Sequence, residues 1–354
     1  MFSLKPDYEK AQKRINTFWA YEETDRPIVI MGFAKKGTFT KKSHLTWEDY
    51  WLDIEYRAEE TAHWIGNTVF YAESMPVAMP NFGPEIISAW AGCPYHFGER
   101  TAWTEPCLFD WDKDKAVIDM NHPLAKKLES YTHLLLEKAK GKFIVGLSDF
   151  HPGGDHLSAL RDPQVLAIDL LENPEHVKAK LASSYREYYA AYDYYVDLLK
   201  KAGMPIASWL PLTSEDSMYI PSNDFSCMIS KDMFDEFFLE GITAECRYYG
   251  KSIYHLDGPG ALRHLDSILS IRELDAIQWV PGAGREDCAL WLDVYKKIQS
   301  AGKSLMVYLR SMEDLKLIID NLQARGLCLV ITWDVENEDN AKDIMKTIEA
   351  GWGK

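Results

Sequence analysis

His255 and Asp257 stand two residues apart in the run Ile253-Tyr254-His255-Leu256-Asp257-Gly258. On a β-strand, residues i and i+2 point to the same side. An imidazole and a carboxylate therefore converge on one point. Such a pair suits a divalent metal ion or general acid–base chemistry. A hydrogen-bonded histidine at a strand end is the plain structural alternative. Asp149 and His151 repeat the spacing just before Pro152-Gly153-Gly154. There a carboxylate also has an ordinary use in shaping a Gly-rich turn. Asp224, after Asn223, is either a turn former or a third acidic group led toward the same place.

Elements that would position these groups are legible as short apolar, β-branched runs. They are Ile28–Phe33, Thr68–Ala72, Phe143–Leu147, Ile206–Leu210, Ser252–Leu256, Ala276–Val280, Ser304–Leu309 and Cys328–Thr332. Long helical patterns separate them. Pro174 follows Asn173 as a helix start, Gly203 closes that helix, and Ser230 reads as an N-cap for the next. Strands alternating with helices indicate βα units and a parallel sheet. Eight runs predict an α/β fold, a (β/α)8 TIM barrel, as one domain over residues 1–354. Residues 1–25 add an N-terminal helix. Residues 74–140 form a long insertion between the second and third strands, expected to be a pocket wall or lid.

In a barrel the active site lies at the C-terminal ends of the strands. That rule collects Glu73, Asp149, His151, Trp209, Asp224, His255, Asp257, Trp279, Tyr308, Arg310, Trp333, Asp334 and Glu336 at the mouth. Arg310 is the cation expected there, to hold a substrate carboxylate or to neutralise Asp257 and Asp334. Trp209, Trp279 and Trp333 would form an aromatic wall. Glu73, Asp149, His151 and Tyr308 complete the expected substrate contacts. No P-loop, GxGxxG after a strand, HExxH or GxSxG occurs.

Composition bounds the function. The chain has 39 Lys+Arg against 54 Asp+Glu, a net charge of −15, which argues against nucleic-acid binding. Hydrophobic residues at 47% and charged residues at 26% exclude a disordered, coiled-coil or collagen-like chain. The 12 Trp and 19 Tyr exceed ordinary core needs and hint at an aromatic pocket. The opening residues lack a signal-peptide pattern and no apolar run is long enough to span a bilayer. Six scattered Cys then read as reduced thiols in a cytoplasm.

Three stretches together resemble the uroporphyrinogen decarboxylase superfamily. They are Thr24-Asp25-Arg26-Pro27-Ile28, then Leu160-Arg161-Asp162-Pro163 through Asn173-Pro174-Glu175, and Asp224-Phe225 through Ile229-Ser230 to His255-Leu256-Asp257-Gly258. Asp334 to Asn340 adds a weak fourth. The resemblance spans most of the chain outside 74–140. It implies a (β/α)8 barrel and one of two activities. One is cofactor-free decarboxylation of a tetrapyrrole's acetate arms. The other is methyl transfer between a corrinoid and a thiol, with zinc activating the thiol.

Both family patterns are altered. The decarboxylases' Arg-rich segment after strand one is Met31-Gly32-Phe33-Ala34-Lys35-Lys36-Gly37 here. The methyltransferases' His-x-Cys is His255-x-Asp257, and Cys328 lies too early to supply their second Cys. Zinc accepts carboxylate oxygen, so His255 and Asp257 remain metal ligands, with Asp224 or Glu336 completing the shell or acting as base. The leading expectation is metal-assisted methyl transfer on a small molecule, using Zn2+ or another divalent ion. A corrinoid protein is the expected partner, and a homodimer the expected assembly. The alternatives are a cofactor-free decarboxylase, a carbohydrate-active barrel using acidic pairs and Trp platforms, and a ligand-binding barrel without catalysis.

Overall fold

The structure, a computed structural model, describes residues 2–353. Its strands are β1 (Ile28–Ala34), β2 (Thr68–Ala72), β3 (Val77–Ala78), β4 (Tyr95–Phe97), β5 (Ala102–Thr104), β6 (Ile144–Val145), β7 (Met218–Tyr219), β8 (Lys251–Asp257), β9 (Ala276–Val280), β10 (Ser304–Leu309) and β11 (Leu327–Ile331). Seven of them make one sheet in the order β2-β1-β11-β10-β9-β8-β7. Every pairing from β1 round to β7 is parallel. Apolar residues of these strands, such as Val29, Ile253, Ile277, Val307 and Leu329, are fully buried. A strand buried on both faces is the mark of a parallel sheet covered by helices.

The expected second strand runs the wrong way for a barrel. β2 is antiparallel to β1, pairing Ala34 with Thr68 and Ile30 with Ala72. Its C-terminal end therefore lies beside the start of β1. The chain then turns, and β3 pairs in parallel with β6 in a separate two-stranded sheet. Single backbone hydrogen bonds carry the connection onward, from Glu73 N to Val29 O (3.0 Å) and from Leu147 N to Ala207 O (2.7 Å). The expected fourth strand, residues 206–210, is reduced to one antiparallel bridge between Ile206 and Ser214. Pro205 and Pro211 flank it, and proline has no N–H to give a ladder. A short strand not foreseen, β7, pairs with the start of β8 instead. The strands thus form one seven-stranded sheet and two pairs, β3-β6 and β4-β5, and continuous pairing does not close the large sheet into a ring.

The helices follow local signals. The helix Pro174–Lys201 ends before Gly203, whose φ of +74° suits glycine. Ser230 accepts a hydrogen bond from Met233 N at 3.2 Å, capping Lys231–Phe237. Asn173 does not cap by its side chain; its amide donates to Asp169 at 2.7 Å. The tyrosine surplus is largely structural. Tyr188, Tyr192, Tyr219 and Tyr249 form a buried cluster between this helix and β7–β8. Within residues 74–140, Phe82, Trp90, Leu128 and Tyr131 are all buried.

Candidate metal centre

β8 carries the centre. His255 and Asp257 lie on its same face, alternating with buried Tyr254 and Leu256. Gly258, at φ +75°, turns the chain away directly after Asp257. Asp224 arrives from a different element, the short 3-10 turn Asp224–Met228. Pro221 O accepts from His255 N at 2.9 Å, and Ser222 bridges to His255 in parallel, so this segment is held against β8. One ligand atom each from Asp224, His255 and Asp257 falls within 4.8 Å of the others. Among the described residues it is the one group of at least three His, Cys, Asp or Glu side chains so arranged.

Gln278 orients the histidine. It is His255's register partner on β9, and its Oε1 accepts from His255 Nδ1 at 2.7 Å. The Gln278 amide in turn donates to the Tyr308 hydroxyl. With the proton fixed on Nδ1, Nε2 keeps its lone pair, which is the form a metal ligand needs. Trp209 meets the imidazole edge-on, centroids 5.2 Å apart. The pKa of Asp224 is pushed up to about 6, first by crowding against protein atoms and then by the charges of Asp155 and Asp257. His255 and His151 pull the other way but do not prevail. The residue's surface is nonetheless open, so the carboxyl is crowded without being sealed off.

A second charged cluster adjoins the first. His151 Nε2 lies 2.8 Å from Asp149 Oδ1, and its Nδ1 is 2.7 Å from Ser222 Oγ. Ser222 donates to Asp155 Oδ2 at 2.8 Å, and Phe225 N donates to Asp155 Oδ1 at 3.0 Å. Burial alone would hold His151 neutral, but Asp149 and Asp155 outweigh it and raise its pKa well above the usual value. Burial likewise opposes the ionised Asp155, yet His151 and its hydrogen bonds hold that carboxyl low. A crevice of about 280 Å³ adjoins both clusters, lined by Glu85, Ser88, His151, Asp155, His156 and Asp224 among others. His156, buried, is driven down to about 3 by burial and by Lys180, and is neutral.

Other expected site residues go elsewhere. Glu73 forms a bidentate pair with Arg26 (2.9 and 2.8 Å) and accepts from Val29 N at 2.9 Å, beside the start of β1. The reversed direction of β2 puts it there, away from the mouth. Trp279 is buried against Trp291, centroids 5.0 Å apart, because it alternates with Gln278 on β9 and so faces the helices. Arg310 is mostly exposed and lies 3.3 Å from Glu286, not beside Asp257. Glu336 and Asp334 are exposed, and Trp333 packs partly against the core. Tyr308 reaches the centre only through Gln278. Residues 255 and 257 with Asp224 are brought together; Glu336 is not in that group. Gln278 and Ser222 were not anticipated. Gln278 had a signal, as the lone polar residue in Ala276-Ile277-Gln278-Trp279-Val280.

Fold and site define a mixed α/β protein with a central parallel sheet and an acidic, histidine-bearing centre at the end of one strand. No protein-family model and no curated protein matches the chain. A solved structure, a methyltransferase from Methanosarcina mazei, superposes with a TM-score of 0.61 at 10% identity, over 99% of each chain. That likeness shows a shared fold. An HpcH/HpaI aldolase from Desulfitobacterium hafniense DCB-2 aligns with a TM-score of 0.25 at 12% identity, covering 78% of this chain and 92% of that one. Among the described residues, no helix is long and apolar enough to cross a membrane.

Proposed function

We propose that this chain is a (β/α)8-type enzyme that holds a divalent, zinc-type metal on Asp224, His255 and Asp257 and catalyses methyl transfer linked to a corrinoid or a thiol. The observation that carries the reading is the convergence of these three ligand atoms within 4.8 Å, with His255 oriented by Gln278. The donor set fits: one imidazole nitrogen and two carboxylates suit zinc and harder divalent ions. Asp224 supports the fit: burial first, and then the charges of Asp155 and Asp257, raise its carboxyl to about 6, and a cation would relieve the crowding of negative charge. When bound, the metal would supply Lewis acidity to lower the pKa of a thiol or water. The chain's own residues do the rest. Gln278 fixes the His255 tautomer, and Trp209 walls the imidazole. His151, kept protonated between Asp149 and Asp155, holds a positive charge beside the crevice. The shared fold with a methyltransferase and the superfamily resemblance favour methyl transfer over the other chemistries. Decarboxylation lacks the carboxylate clamp expected of Arg310, which sits against Glu286.

The experiment measures metal content of the purified protein by mass spectrometry, before and after loading, in wild type, His255→Ala and Asp257→Ala. One tightly held ion per wild-type chain, lost in both variants, is expected. Methylcobalamin absorbance with a panel of thiols then reads transfer. Metal binding without any demethylation would remove methyl transfer and keep the metal centre. No specific metal in wild type would remove both.

A further inference from the structure

We infer that Cys93 and Cys107 form an oxidisable dithiol, a thiol–disulfide site behind the wall of the crevice. Their sulfurs lie 3.1 Å apart. A disulfide needs about 2.0 Å, so closure asks for a movement of about 1 Å. The two residues flank the β4–β5 hairpin, one just before it and one just after, and Glu105 N to Pro94 O (2.9 Å) extends that ladder toward them. A bond here would lock the base of the hairpin.

The two thiols are unequal in the way a reactive pair requires. Cys93 is buried, and Cys107 is partly accessible. The hydrogen bond from Cys93 stabilises the Cys107 thiolate, burial opposes it, and the charge of Lys180 adds to the lowering. Among the described residues no other cysteine is lowered; Cys227, Cys246, Cys288 and Cys328 are all raised, first by burial. A lowered, reachable thiol beside a resolving thiol is the arrangement that reacts with peroxide.

With hydrogen peroxide as oxidant, the Cys107 thiolate attacks one peroxide oxygen. The O–O bond breaks, the departing oxygen takes a proton and leaves as water, and Cys107 becomes a sulfenic acid. Cys93 sulfur then attacks the Cys107 sulfur. The S–S bond forms, the S–O bond breaks, and the Cys93 proton leaves with the hydroxyl as the second water. Two thiols are oxidised by two electrons and one peroxide is reduced.

The site is linked to the crevice through two lining residues. Cys93 N donates to Ser88 O at 3.1 Å, and Ser88 lines the crevice. Thr104, at the end of β5, donates from N (2.6 Å) and Oγ (2.8 Å) to Glu85, which also lines it. Oxidation therefore stiffens the segment that holds Ser88 and Glu85.

The test treats the full chain with hydrogen peroxide, alkylates the remaining thiols and maps peptides without reduction. Expected is a Cys93–Cys107 linked peptide, lighter by two hydrogen atoms and restored by a reductant, with a raised Tm. Cys93→Ser should leave Cys107 as a sulfenic acid trapped by dimedone. Cys107→Ser should leave Cys93 reduced and alkylatable once the chain is unfolded. The proposal is overturned if both thiols stay alkylatable at peroxide levels that oxidise the exposed Cys227, or if the disulfide joins another pair.

Discussion

His255 Nδ1 donates to Gln278 Oε1 at 2.7 Å, across the ladder between two parallel strands. The contact sets which imidazole nitrogen is free. It also ties the centre to Tyr308 one strand further on, because the same amide donates to that hydroxyl.

Gln278→Leu is therefore expected to weaken metal binding without unfolding the chain. Removing a partner that orients a metal-bound histidine typically costs about 10–100-fold in affinity. Competition against a chromogenic chelator measures it, with circular dichroism as the check on folding. Unchanged affinity would remove Gln278 from the centre.

Metal affinity should fall as pH drops through about 6, where Asp224 takes up its proton. In Asp224→Asn the affinity should be lower throughout and its pH dependence shallower. Metal-free protein shows the converse in stability. Between the ordinary carboxylate pKa and about 6, the folded state holds a proton that the unfolded chain has released. Stability from this group thus declines as pH rises through that window. Chemical denaturation of metal-free wild type and Asp224→Asn across that range reads the difference.

Glu245 gives a second pH signature. It is buried, accepts from Tyr185 at 3.1 Å and Tyr249 at 3.2 Å, and burial pushes its pKa up to about 8. The folded state keeps this proton between pH 4.5 and about 8 while the unfolded chain has lost it. Its contribution therefore declines as pH rises across that window. Glu245→Gln, neutral at every pH, should flatten the decline, and Tm measured from pH 5 to 9 checks it.

Glu73→Ala should cost about 3–5 kcal/mol of stability, the usual cost of leaving a buried ion-pair partner uncompensated. Arg26 would lose both of its short contacts to the carboxylate, and Val29 N its acceptor. Metal content should not change. A variant that folds as well as wild type but loses metal would return Glu73 to the site.

Local pattern made much of this protein legible. The run Ser252–Leu256 reads as a strand from its apolar Ile253, Tyr254 and Leu256, and the strand period of two already put His255 and Asp257 on one side. The same period separates inward Gln278 from outward Trp279, once one of them is known to face the centre. Ser230 announced its helix by chemistry alone. Chain direction and long-range pairing carry no such local mark. Thr68–Ala72 reads equally well as a parallel or an antiparallel strand, and only the tertiary path reverses it and gives Glu73 to Arg26. Only that path brings Asp224, 31 positions before His255, against β8, and aligns Gln278 with the imidazole. Side-chain alternation is written into each strand, whereas register and direction depend on hydrogen bonds to partners far along the chain.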